Sequence, residues 1–197
     1  MKFVGTLYAL AYLFMLVIMF LLPKFSFSEY SMIQNSLSEL GAQNTPASWV
    51  MNMVFFMLAF VVILLATKKL RRFWLPLYLL YLFALCLFFT GIYRHAPIVD
   101  IDFSMPEHIT HSVFSSLTGI VFCMYCATIV VFVKRRMEKA TAIFMCALAL
   151  GLSLLMFQFS EYKGVFQRIL FILAFGWLLY SLVTFTFEKP KAIRREK

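Results

Sequence analysis

Residues 49–92 read WVMNMVFFMLAFVVILLATKKLRRFWLPLYLLYLFALCLFFTGI, and this stretch decides the fold. Two apolar runs, 49–67 and 74–92, flank the basic segment 68–73. An apolar run of about 20 residues, at 1.5 Å per residue, crosses a hydrocarbon core near 30 Å as a helix. Because the connection is so short, the two helices must be antiparallel neighbours. The stretch therefore predicts a membrane hairpin.

The same pattern continues on both sides of this hairpin. The chain is 63% hydrophobic with a mean hydropathy of +0.88, too apolar for a soluble globule of 197 residues. We expect an all-α, polytopic six-helix transmembrane bundle over residues 1–187 and a basic tail at 188–197. The first run lacks a small-residue cleavage site and is predicted to be a retained helix. The four further spans are predicted at 3–22, 113–133, 140–159 and 165–185.

The basic residues predict the orientation. Fourteen of the 18 Lys and Arg fall in segments that share a side with the N-terminus. Basic residues of short loops stay cytoplasmic, so we expect both termini to be cytoplasmic and two long loops to face outward. Clusters beside spans suit anionic lipid headgroups, and we expect no nucleic-acid partner. The four basic residues on the other side are Lys24, Arg94, Lys163 and Arg168.

The cysteines predict neither a disulfide nor a redox site. All four lie inside predicted spans, and none lies in the outer loops. The pair Cys123 and Cys126 is spaced C-x-x-C, but at mid-span depth both are interpreted as small packing residues, like Cys86 and Cys146.

All three histidines lie in or beside the second outer loop. If a helix begins near Pro106, four polar residues share one stripe at the outer end of the fourth span. Glu107 would then occupy the first turn, where an acidic side chain is favoured. The stripe consists of His108, His111, Ser112 and Ser115.

Three interpretations of this stripe stay open. In the first, zinc is bound by His108 and His111 together with His95, Asp100 or Asp102. In the second, a metal-free site uses a histidine as general base toward a serine hydroxyl or water. In the third, the side chains form hydrogen bonds that hold the loop on the bundle. We therefore predict no metal outright. If these residues bind a metal cofactor, zinc is the expected ion.

The first outer loop carries the string Asn35-Ser36-Leu37-Ser38-Glu39-Leu40-Gly41. Ser36 and Ser38 with Glu39 are typical of a capped short helix, which Gly41 would end. Glu39 is also available to orient a histidine or to pair with Arg94 or Arg168.

Arg168 lies beside Gln167, about one turn into the sixth span. It either extends toward the interface or points into the bundle. If it points inward, it needs an acidic partner such as Glu161, or a phosphate.

These strings together resemble the membrane family known as domain of unknown function 998. The resemblance rests on Tyr30-Ser31, the string 35–41, Pro46, Met51-Asn52, Gly91-Ile92, a loop histidine at 108 or 111, Gly164 and Gln167-Arg168. The family more often has Asp where Glu39 stands. The resemblance implies a prokaryotic six-helix protein of the cytoplasmic (inner) membrane and assigns no activity.

The convergence of polar residues predicts a function at the outer face. We expect a polar pocket that engages a lipid or lipid-linked molecule. If the protein is a hydrolase, the catalytic residues would be Ser36, Glu39, His108 and His111. The predicted binding residues are Arg168, Gln167, Ser38, Ser112 and Ser115. The alternative is a non-catalytic accessory or regulatory subunit with a protein partner in the membrane. A transporter or channel is disfavoured because no charged residue lies at mid-span.

Overall fold

The computed structural model describes residues 2–188, and that part of the chain is α-helical without a β-sheet. Six long helices have the length and hydropathy of membrane spans, which confirms the six-span, all-α prediction. A four-residue helix, α2, precedes the second of them. The seven helices are α1 (Lys2–Leu21), α2 (Leu37–Leu40), α3 (Ser48–Leu70), α4 (Trp74–Ile92), α5 (Met105–Phe132), α6 (Arg136–Gln158) and α7 (Lys163–Thr184).

The six long helices pack as a closed ring. Consecutive helices from α3 to α7 are neighbours, and α1 closes the ring by contacting both α3 and α7. Tyr8 and Tyr12 donate from α1 to the carbonyl oxygens of Phe175 and Ile172, at 3.2 and 2.9 Å. These bonds join the first span to the last.

The largest difference between a predicted span and the structure is the start of the fourth span. The fourth span was predicted at 113–133, but α5 starts at Met105. Ser104 caps it by accepting a hydrogen bond from the amide of Glu107, and Pro106 occupies the first turn, where no intrahelical donor is needed. The polar first two turns are therefore helical, as the stripe required.

The two ends of the bundle differ. Residues 22–47, 93–104 and 159–162 connect helices at one end, which we call the long-loop end. At the other end, Val133 pairs with Phe187, and Lys134 forms a 3.1 Å ion pair with Glu188. The predicted basic tail, beyond Glu188, lies outside the described residues. Which end faces the cytoplasm stays a prediction from the charges.

Candidate functional site

The first long loop is organised by a capping box. The Ser36 hydroxyl accepts a hydrogen bond from the Glu39 amide, and the Glu39 carboxylate accepts one from the Ser36 amide. This reciprocal pair starts α2, and Gly41 ends it, so the predicted capping role is confirmed. Ser38 lies within α2 and is buried. Ser36 is thus part of a helix cap, and no hydrogen bond described for residues 2–188 joins it to a histidine.

Arg168 fastens this loop to α7. Its Nη1 donates to the carbonyl oxygens of Met32, Asn35 and Gly164 at 2.9–3.0 Å. Its Nη2 donates to the Tyr30 hydroxyl at 2.7 Å. The residue is 5% exposed. It therefore neither extends to the interface nor pairs with Glu161, which is exposed.

Tyr30 completes this arrangement. Its hydroxyl accepts from Arg168 and donates to the Ser36 carbonyl oxygen at 2.9 Å. Burial raises the pKa of Tyr30 to about 12, against the opposing effect of the Arg168 charge. The phenol stays protonated at neutral pH and can act as donor and acceptor at once.

Gln167 and Gly164, which lie near Arg168 on α7, also contact the first long loop. The Gln167 Oε1 accepts a hydrogen bond from the Leu37 amide. Gly164 donates from its amide to the Ile33 carbonyl oxygen at 3.0 Å. A Cβ at Gly164 would collide with the carbonyl oxygens of Met32, Ile33 and Asn35, so only glycine permits this approach.

Glu39 pairs with Lys163, a residue that the sequence did not single out for a site. The Lys163 Nζ lies 3.0 Å from the Glu39 Oε1. Burial alone would raise the pKa of Glu39, but the Ser36 hydrogen bond and the Lys163 charge outweigh it, and the pKa is lowered. The carboxylate is therefore ionised. The predicted alternatives, pairing with Arg94 or Arg168, are not formed, because Arg94 pairs with Glu107 at 3.0 Å.

Gln43 ties the two long loops together. Its side-chain amide donates to the carbonyl oxygens of Arg94 and Ser104, and its Oε1 accepts from the Ser104 amide. Its own backbone amide donates to the His95 carbonyl oxygen at 2.9 Å. Nothing in the sequence pattern identified Gln43, because its partners lie more than fifty positions away in the chain.

The second long loop brings the three histidines together. The His95 ring centroid lies 4.5 Å from that of His108 and 5.4 Å from that of His111. Burial lowers the pKa of His95, and the Glu39 carboxylate acts on it in the opposite sense. The electrostatic effect of Glu39 reaches His95, so the histidine cluster and the capped loop are neighbours.

Hydrogen bonds to backbone groups determine which ring nitrogen of each histidine carries the proton. The His95 Nδ1 lies 2.8 Å from the Ala96 carbonyl oxygen, and the His111 Nδ1 lies 2.9 and 2.7 Å from those of Thr90 and Tyr93. A carbonyl oxygen only accepts, so both Nδ1 atoms carry the proton and both Nε2 atoms keep a lone pair. The opposite holds for His108, whose Nδ1 accepts from the Ala96 amide.

The remaining predicted residues line the same stretch of α5. The Ser112 hydroxyl donates to the His108 carbonyl oxygen at 3.0 Å, and Ser115 lies half-buried one turn beyond His111. Within residues 2–188, no three His, Cys, Asp or Glu side chains are placed to coordinate one metal ion. The predicted catalytic and binding roles of these residues stay predictions.

A groove that the sequence did not reveal lies on the bundle surface between α3 and α4. Its volume is about 340 Å³. It spans Ser48 to Phe56 on α3, about 12 Å at 1.5 Å per residue, and reaches the long-loop end, where Arg94 lies. Trp49, at 66% exposure, stands at its edge. The lining residues are Ser48, Trp49, Asn52, Met53, Phe56, Gly91, Ile92 and Arg94.

These features define a polytopic α-helical membrane protein whose two long loops are fastened to one end of the bundle. The chain belongs to the family described as "Protein of unknown function (DUF998)", whose model matches residues 8–184. No curated protein and no solved structure matches it. The residues that carried the resemblance now have positions: Ser36, Glu39, Gly164, Gln167 and Arg168 form one loop-fastening network.

Proposed function

We propose that this membrane protein binds an anionic phospholipid in the groove between α3 and α4. One observation carries the proposal, namely an apolar groove open at the bundle surface with a cationic side chain at its polar end. The apolar lining suits an acyl chain, and Arg94 suits an anionic headgroup. Trp49 stands at the groove's edge, as expected of an aromatic residue at a membrane interface.

Arg94 retains donors for such a headgroup. Its Nε is engaged by Glu107, whose carboxylate also accepts from the Arg94 backbone amide at 3.0 Å. The hydrogen bonds described for residues 2–188 leave both Nη atoms of Arg94 without a protein acceptor. A guanidinium held on one edge still presents the other edge to a phosphate.

The headgroup is assigned to Arg94 here, and not to Arg168 as the sequence predicted. That guanidinium already donates to four oxygens of the protein through Nη1 and Nη2. Its Nε has no acceptor among the described residues, but this atom is buried and so is not presented to a headgroup at the surface. Ser36 is likewise engaged in its cap. The geometry thus supports binding more strongly than serine-dependent hydrolysis, and it gives no separate support to the accessory-subunit alternative.

Native mass spectrometry of the detergent-purified protein tests the proposal. The protein is mixed with equimolar phosphatidylglycerol, which is anionic, or phosphatidylcholine, which is zwitterionic. We expect one retained phosphatidylglycerol, reduced at least severalfold by Met53→Trp, which fills the groove, and by Arg94→Gln. Met57→Trp, one turn along the same helix and outside the groove lining, is the matched control.

Two outcomes would overturn the proposal. One is equal retention by Met53→Trp and Met57→Trp, since the bound lipid would then lie elsewhere on the apolar surface. The other is a lipid-free protein that co-purifies with a protein partner in every variant, which would favour the accessory role.

A further inference from the structure

We propose that His95 and His111 form the protein half of a binding site for a zinc-class divalent ion. The inference is independent of the lipid groove. Two imidazoles take no part in the loop-fastening network, namely the half-buried His95 and the buried His111. His111 is 2% exposed, and its Nε2 is a buried atom that has no hydrogen-bond partner among residues 2–188. An orphaned acceptor of this kind needs an explanation, and a bound ion is one.

The hydrogen bonds on Nδ1 are those of metal-ligating histidines. A ligating imidazole almost always donates its other N–H to a carbonyl oxygen or carboxylate, which orients the ring and raises its basicity. His95 donates to one carbonyl oxygen and His111 to two. Both Nε2 atoms therefore keep the lone pair that binds zinc.

The spacing of the rings agrees with a shared ion. Two imidazoles bound at about 2.0–2.1 Å to one tetrahedral zinc place their ring centroids about 5 Å apart. The His95 and His111 centroids are 5.4 Å apart, with ring planes nearly perpendicular.

His108 is excluded as a third ligand in this geometry. Its Nδ1 lone pair is occupied by the Ala96 amide, so its Nε2 carries the proton. The ion would therefore keep two positions for water or for an oxygen of a ligand. This explains why three residue ligands do not converge although three histidines are adjacent.

Equilibrium dialysis of tag-free protein against zinc chloride, with the metal counted by mass spectrometry, tests the site. A tag-free chain is needed because a histidine tag binds zinc. We expect one zinc per chain, with binding weakened at least tenfold in His95→Ala and in His111→Ala. His108→Asn, which keeps an acceptor for the Ala96 amide, should bind zinc within about twofold of the wild type.

If His111→Ala fails to fold, His95→Ala alone is decisive. His95 lies in a loop, so its substitution should leave the helical bundle folded. Melting temperatures of all variants are measured without zinc. Absence of zinc in the wild type would overturn the proposal. So would zinc that survives His95→Ala, or zinc lost equally in His108→Asn.

Discussion

The Lys163 ammonium and the Glu39 carboxylate lie 3.0 Å apart, although 124 positions separate them in the chain. Glu39 belongs to the capped turn in the first long loop, and Lys163 is the first residue of α7. The pair links the helix cap to the last span. It also supplies the charge that holds the Glu39 carboxylate ionised despite its burial.

Removing the Glu39 charge should loosen the first loop. Glu39→Gln loses the ion pair and weakens the capping box, and we expect a loss of about 1–2 kcal/mol in the free energy of unfolding. The value is modest because the Lys163 side chain is 35% exposed, so solvent screens the pair. Thermal unfolding in detergent measures it. Glu161→Gln, an exposed residue of the neighbouring turn, is the control and should melt like the wild type.

Arg168→Lys should destabilise the protein although it conserves the charge. A lysine cannot span the three carbonyl oxygens and the Tyr30 hydroxyl that the planar guanidinium reaches. We expect a loss of at least about 2 kcal/mol and faster hydrogen–deuterium exchange in residues 30–41. Tyr30→Phe removes only one member of the network and should lose about 1 kcal/mol. Unchanged exchange in Arg168→Lys would contradict the fastening role.

Gly164→Ala tests the close approach of the first loop to α7. The added methyl group would meet three carbonyl oxygens, so the loop must move away and the Arg168 contacts must break. We expect clear destabilisation. Gly151→Ala is the matched control, since a Cβ there meets nothing within 4 Å and alanine favours a helix by up to about 1 kcal/mol. Equal melting temperatures for the two variants would refute the docking geometry.

Acidification should destabilise the protein in two steps. The pKa of His95 is lowered from its ordinary value of 6.5, chiefly by burial, so the unfolded chain binds a proton before the folded one does. Stability should fall as the pH drops below about 6.5 and level off below the folded pKa of His95. The pKa of Glu39 is also lowered, so its contribution is present above 4.5 and disappears as the pH falls through the lowered value.

Melting temperatures between pH 8 and 4 measure both steps. His95→Gln should reduce the upper step and leave the lower one, while Glu39→Gln should do the reverse. An upper step of unchanged size in His95→Gln would show that His95 does not contribute to it.

The elements that sequence predicted well are those with local causes. The length of the apolar runs and the short basic segment 68–73 predict the spans. Ser36 and Glu39 predict a helix cap within four residues. The start of α5, eight residues before the predicted span, also has a local cause in Ser104, Pro106 and Glu107, although the Ser104 cap was not predicted. Each of these signals is complete within one or two helical turns.

The elements that sequence could not predict depend on packing. Arg168 was expected to need an acidic side chain or a phosphate, but its acceptors are mostly backbone carbonyl oxygens, which every residue has. Glu39 was given the wrong candidate partners because nothing local places Lys163 beside it. The groove exists only once α3 and α4 are side by side, with Gly91 allowing Phe56 to approach.

Photo-crosslinking tests the central claim, lipid binding in the groove, most directly. Purified protein is irradiated with an equimolar diazirine-bearing phosphatidylglycerol, and the labelled residues are mapped by peptide mass spectrometry. We expect labels concentrated on Trp49, Met53, Phe56 and Ile92, and their loss in Met53→Trp. Labels spread evenly over exposed apolar residues such as Leu154 and Phe157 of α6 would contradict it.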